Sequence, residues 1–440
     1  MLNQSRLNDY QIEEWARHTR NRNPAQQIIH HLRAHIHGEF VSQAFAKFYE
    51  CVSAYPMINN VEKVFHSVHL CEAPGFFITS LNHYLKLNHP EIDFKWHAST
   101  LNPYFEGNLI GRTVFDDRLI SQTLEKWVFG DDYDGDILKE NNIRSLIKYC
   151  QSFEHCINLV TADGSIDCSD QPENQEESVS KLHLAELIVS LAILADKGSM
   201  LIKMFTFFET SSISILYILN CCFEELHIFK PATSKEGNSE VYVIGIGYKK
   251  NVLTNDLIEK MIISFKDETK MLLPLEVIPK EFLHEVVEAA RFFMNLQVNV
   301  IEGNIKTFQR YDKYENERIR KLKSRMVEHF VMLYKIHPIR EEQKILNGLI
   351  ENIDINLNVR VHTGSHSERI NFQYLEQSEK CQVMHDRLKH FYDNFVANTV
   401  NSPCIPLNLN NSELSPLKFI KFIYGLSFEK VASSKFVLIP

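Results

Sequence analysis

At 440 residues, with 44% hydrophobic and 23% charged side chains, the chain can bury a full α/β core, and its composition excludes the disordered and fibrous classes. A net charge of -9 gives no overall attraction to nucleic acid, so any such partner needs a local basic surface. No run is apolar and long enough to cross a bilayer, and the polar first residues lack the apolar core of a signal peptide, so an intracellular, membrane-free chain is expected.

Helix formers fill residues 26–37 and 42–52, with Pro24 suited to a helix start, so residues 1–38 are expected to form a helical extension. From about His66 short apolar strands alternate with helical patterns, the signature of a parallel sheet with crossover helices. Strands are expected at 67–71, 95–101 and 156–160, and a helix follows the first, with Phe77, Ile78, Leu81, Tyr84 and Leu85 at helical spacing. Leu184, Leu187, Ile188 and Leu191 mark a later helix, with Gly198 at the place of a C-terminal cap. Then come a strand at 200–205, a helix at 213–221 and strands at 226–229 and 241–246. The short connection between those last two requires antiparallel pairing. The expected fold is α/β, a doubly wound sheet over residues 39–250 that ends in an antiparallel hairpin.

Past residue 250 the pattern turns helical up to about 340, with an amphipathic segment from 305 to 329 whose apolar stripe is Ile319, Leu322, Met326 and Phe330. Arg318, Arg320, Lys321, Lys323 and Arg325 crowd the same stretch, as a solvated face in the simpler reading and an RNA-facing side in the other. Residues 341–440 are weakly patterned, with 402–416 expected as a linker before a short apolar end. The nine cysteines show neither zinc spacing nor an even count, so buried free thiols and no metal site are expected.

The string His69-Leu-Cys-Glu-Ala73-Pro74-Gly75-Phe-Phe77-Ile sets a Pro-Gly turn between the first strand and first core helix, where open α/β sheets bind ligands. A small residue and a glycine let backbone approach a ligand there, and a helix N-terminus offers N–H groups to an anion. A pyrophosphate calls for G-x-G-x-x-G, and only one glycine is present. S-adenosylmethionine, with a single carboxylate, therefore fits better than a dinucleotide, although a plain turn explains the string as well. Asn102, beyond the second strand, is a candidate for a ribose contact, and Asp136 for accepting from an adenine amino group.

Lys203 stands among Met200, Leu201, Ile202, Met204 and Phe205, where an unpaired ammonium is costly. Either it snorkels out at the strand end or a carboxylate holds it. Asp163 is a candidate partner, at the carboxyl edge after the third strand, although an aspartate before glycine is also an ordinary turn residue. Glu240 adds a second acid and Lys47 a second cation. In such a cluster one ammonium can depress the pKa of the other, and a neutral lysine can take the proton of a ribose 2'-hydroxyl.

Lys47, Asp163, Lys203 and Glu240 occur in the order of the K-D-K-E tetrad, and the surrounding strings resemble the FtsJ-like (Rossmann-fold) ribose 2'-O-methyltransferases. These strings are Leu70-Cys-Glu-Ala-Pro-Gly75, Val160-Thr-Ala-Asp-Gly-Ser165, Leu201-Ile-Lys-Met-Phe-Thr206 and the run from Lys230 to Tyr242. Ser80-Leu-Asn-His-Tyr-Leu-Lys86 and the run from Thr100 to Asn108 are closer to the Adrift-type branch, which acts on capped mRNA. The resemblance implies a catalytic tetrad of those four residues and an S-adenosylmethionine site built from Ala73, Pro74, Gly75, Phe77, Asn102, Asp136 and Asp163. It also implies 5'-capped RNA as partner, the second transcribed nucleotide as target, and residence in nucleus and cytoplasm. A cap 1 enzyme and a non-catalytic capped-RNA-binding module are the alternatives. Phe76 replaces a glycine frequent in the family, and the residues after 250 are too few for the second, silent methyltransferase-like domain of its larger members.

Overall fold

A computed structural model describes residues 11–346 except 59–62, 106, 109–111, 115, 167, 169–173, 267–271 and 309–312, together with 420–424. The expected linker at 402–416 lies outside the described residues, as do Cys381 and Cys404.

Helices α1 (Ile12–Arg22) and α2 (Gln26–His31) lead the chain, and α2 widens into a π turn, Leu32–Ile36, that closes on left-handed His37. Helix α3 (Gln43–Ala54) is capped by the Ser42 hydroxyl, which accepts from Phe45 N. The sheet then builds from β1 (Val64–Leu70), β2 (Asp93–Ser99), the two-residue β3 (Trp127–Val128), β4 (Ile157–Ala162), β5 (Leu194–Met204), β6 (Phe223–Lys230) and β7 (Val241–Tyr248). Helices α4 (Phe76–Asn88), α5 (Arg118–Gln122), α6 (Glu140–Gln151), α7 (Gln175–Ile193) and α8 (Thr210–Cys222) lie between them. Helices α9 (Asn255–Lys266), α10 (Lys280–Phe308) and α11 (Lys313–Tyr334) follow, and β8 (Ile420–Tyr424) comes last.

The sheet order is β3-β2-β1-β4-β5-β7-β6-β8. Strands β1 to β5 pair in parallel, while β7 runs antiparallel between β5 and β6, so the expected hairpin is present but its second strand is inserted in the sheet. The last strand, in the weakly patterned C-terminal region, pairs in parallel with β6 and covers its outer edge.

Both faces are apolar and packed, as a doubly wound sheet demands. Histidines interrupting β1 are satisfied inside the core: His69 bonds Ser67 and Thr161 at 2.7 and 2.8 Å, and His66 bonds His97 at 2.9 Å. Burial drives the His69 pKa down to about 3, so the ring is neutral.

Three local expectations are corrected. Gly198 does not cap α7, which ends at Ile193; it lies inside β5, and the left-handed turn at this point is taken by Lys197. The segment 305–329 is divided between the end of α10 and the start of α11, although Ile319, Leu322, Met326 and Phe330 are the buried stripe. Among the seven described cysteines, all unbridged, Cys156 is exposed.

Candidate active site

Strand ends and the helix before the sheet bring four charged side chains together at the carboxyl edge. The Lys203 ammonium lies 3.1 Å from Asp163 Oδ1 and donates to the Asp163 carbonyl at 2.8 Å. Register explains the approach: β4 and β5 are adjacent and parallel with Ala162 opposite Ile202, so the residue after each pair meets at the strand ends. Lys47, projecting from α3, sits 2.6 Å from Glu240 Oε1 and 2.9 Å from Oε2, and Glu240 immediately precedes β7. Because Lys203 faces Tyr242 across the β5–β7 ladder, the two pairs adjoin. The Tyr242 hydroxyl donates to Asp163 Oδ1 at 3.4 Å.

Charge balance sets the protonation states. Burial opposes the Lys203 charge, but Asp163, Glu240 and Glu186 outweigh it and hold the amine above the ordinary lysine range. Burial likewise opposes the Glu240 charge, yet Lys47, Lys203 and Lys230 bring its pKa down to about 2. The neutral lysine expected as a proton acceptor is therefore not Lys203, which is an ammonium. Around this cluster the lysine with a depressed pKa is Lys230, taken to about 7 by burial.

Several residues that hold this site escaped the sequence reading. Glu50, one turn after Lys47 on α3, accepts from Ala232 N at 2.8 Å, Thr233 N at 2.7 Å and the Thr233 hydroxyl at 2.5 Å. Lys230 donates to Asn238 O, Asn238 Oδ1 and Glu240 O at 2.8–2.9 Å. Ser234 donates to Glu240 Oε1 at 2.9 Å. The loop 231–240 is thus pinned from both ends. The charged residues that pin it are buried, but nothing in a one-letter string marks a particular glutamate or lysine as buried.

At the cofactor turn, the Ala73–Pro74 peptide is cis and Gly75 has φ +109. A Cβ on Gly75 would strike the Leu119 side chain, so the room that glycine leaves is filled by α5 rather than open to a ligand. Two of the N–H groups expected to be free at the start of α4 are also taken. Glu72 Oε1 accepts from Phe77 N at 2.7 Å and Ile78 N at 3.4 Å. Phe77 itself turns its ring into the core, 4.6 Å from Phe48, so neither its ring nor its N–H faces a ligand. Asn102 binds two loops: its amide donates to Tyr133 O at 2.6 Å and its carbonyl accepts from Tyr104 N at 2.9 Å. Gly135, at φ +73, lets the neighbouring loop close on Thr100 and Asn102. Asp136 caps Leu138 N at 3.0 Å and lies 3.6 Å from Arg112.

Four acid side chains surround the turn, and burial favours the neutral form of two of them, leaving Asp163 and Asp136 as the open ones. Burial raises the Glu72 pKa, assisted by Asp163, and burial raises that of Glu186 to about 8. Asp163 and Asp136 keep 22% and 17% of their side-chain surface open. A pyrophosphate would be repelled, whereas S-adenosylmethionine carries a sulfonium and an ammonium against one carboxylate and suits such surroundings.

Sheet order and pairing define a doubly wound α/β domain with a charged cluster at the carboxyl edge of its strands. Residues 40–248 match the FtsJ-like methyltransferase family. It is 38% identical to a Drosophila melanogaster protein named cap-specific mRNA (nucleoside-2'-O-)-methyltransferase 2, over 95% of this chain and 61% of that one. Proteins of the same name from Mus musculus and Pongo abelii are 40% and 42% identical, over 80% and 75% of this chain and 46% and 43% of theirs. The chain thus spans less than two thirds of the length of these relatives.

Proposed function

We propose that the chain methylates the ribose 2'-hydroxyl of the second transcribed nucleotide of 5'-capped mRNA. The observation that carries the reading is the Lys203–Asp163 contact of 3.1 Å beside the Lys47–Glu240 pair at one sheet edge. The relatives' names support the cap as substrate, and the second nucleotide as target rests on the resemblance of the strings 80–86 and 100–108.

Bound S-adenosylmethionine supplies a methyl group activated by its sulfonium. Ala73, Pro74, Gly75, Asn102 and Asp136 form the wall beside which it would lie, with Asp163 between that wall and the tetrad. The Lys203 ammonium hydrogen-bonds the ribose oxygen, turns a lone pair toward the donor and stabilises negative charge as the O–H proton leaves. Asp163, held by Lys203 and Tyr242, has open surface to accept that proton or pass it to water. Lys47 and Glu240 fix the other side of the ribose. Aligned charge, rather than a neutral amine, is the source of the rate. Nucleus and cytoplasm, where capped mRNA occurs, are the proposed compartments.

The test is transfer of labelled methyl from S-adenosylmethionine to short capped RNAs that differ only in ribose methylation already present. Label on the second nucleotide is expected. Label on the first assigns a cap 1 enzyme, and none on any RNA from folded protein assigns a binding module.

A further inference from the structure

Helices α1, α10 and α11 enclose a cavity of about 400 Å³ that the proposed chemistry does not use. His18 and Arg22 of α1, Phe308 at the end of α10, and Asn316, Arg320 and Lys323 of α11 line it. Its charge is unbalanced. Glu315 meets both Arg22, at 2.6 Å, and Arg318, at 2.7 Å. Glu317 serves both Arg320, at 2.9 Å, and Lys321, at 3.8 Å. Lys323, on the cavity wall, has no acid partner among the described residues, and partial burial lowers its pKa. Of the residues lining the cavity, Arg22, Arg320 and Lys323 are cations against the single acid Glu315, in a chain whose net charge is -9. Tyr314, 87% exposed, stands on the same helix. Cations interleaved with aromatic rings suit a single nucleic-acid strand, phosphates on the charges and bases on the rings.

The position relates this cavity to the active site. Gln297 of α10 donates to Gly237 O in the loop that leads to Glu240. From Gln297 to Thr307, at the cavity, α10 runs ten residues, or ~15 Å. Leu322, Met326 and Phe330 of α11 pack in one cluster with Phe45 of α3 and Ala232 of the loop. One strand can therefore touch both places.

We infer that this cavity and the basic side of α11 hold phosphate groups of the RNA chain on the 3' side of the ribose presented to Lys203. The inference rests on the proposed function. The triphosphate of the cap has the same chemistry, so substrate length separates the two sources.

The experiment compares the whole chain with the double variant Arg320→Glu/Lys323→Glu, and with the milder Arg320→Gln/Lys323→Gln should reversal disturb folding. Methyl transfer is measured on a capped RNA of a few nucleotides and on one of several tens, and anisotropy of the longer RNA reads binding without turnover. Expected is a rise of about tenfold in KM for the long RNA, and a salt slope of log binding constant shallower by about 1.4, that is 0.7 per lost contact. The kcat, the KM of the short RNA and the S-adenosylmethionine affinity should stay unchanged. Equal loss on both RNAs would assign the cavity to the cap triphosphate and overturn the inference, as would no change on either. Were the parent chain inactive on every RNA, anisotropy would still decide the cavity, and only the catalytic reading would fail.

Discussion

Lys203 shows how a single side chain changes meaning between string and structure. An ammonium among five apolar neighbours signals a site, and the structure supplies the acids that keep it charged. Replacing it by methionine preserves the stem and removes the charge, so kcat should fall about 10²–10³-fold while S-adenosylmethionine still binds, read by single-turnover transfer and calorimetry. Unchanged turnover would remove Lys203 from the mechanism. Glu240 gives a second prediction. Its folded pKa of about 2 lies below the ordinary 4.5, so its contribution to stability, ~3 kcal/mol, is complete above pH 4.5 and is lost as pH falls toward 2. The stability gap between the parent chain and Glu240→Gln should close over that window in denaturant melts at stepped pH. Asp163, Lys203 and Glu240 could be picked from the sequence because they stand in strings that resemble the family's, and Lys47 from its place in the order of the four. Glu72 and Lys230 stand in those strings too, but their roles, like that of Glu50, come from burial and from the backbone groups they meet, which the strings do not show.

Among the elements, the loop 231–240 matters most, because it delivers Glu240 without regular structure of its own. Glu50 grips its start and Lys230 its end, with Gln43 donating to Thr233 O at 2.8 Å from the side. Glu50→Ala would strand two buried N–H groups and a hydroxyl, at a cost of about 1–3 kcal/mol each before relaxation. Its expected signature is a lowered melting temperature together with a loss of kcat. Glu50→Gln, which keeps one acceptor, should recover part of both, and a variant that melts early but turns over normally would separate this grip from catalysis. Regular elements were more legible than this loop. Apolar periodicity located β1, β2, β4 and α7, whereas β3, two residues long, carries no period to detect. Gly198 misled because a glycine after a helical stripe marks a cap only if the helix reaches it, and β5 begins first.

Across the whole molecule, residues far apart in the chain finish the same sheet. Strand β8 pairs with β6 some two hundred residues away in sequence, Phe422 opposite Ile228 and Tyr424 opposite Lys230. No local pattern announces this pairing, because a short apolar run is equally a tail or an edge strand until its partner is known. Its consequence is physical: β6 ends in the lysine that pins the loop leading to Glu240, and without β8 its backbone donors and acceptors would form an open edge. Phe422→Pro removes a ladder N–H and disfavours the pairing. Amides of β6 around residues 226–230 should then exchange with solvent faster, and light scattering should show association that grows with concentration. Those of β1 and β4, in the sheet interior, should keep their protection. Unaltered β6 exchange would mean that the edge is closed by something other than this strand. Slower methyl transfer accompanying faster β6 exchange would tie the far C-terminal segment to the placement of Glu240.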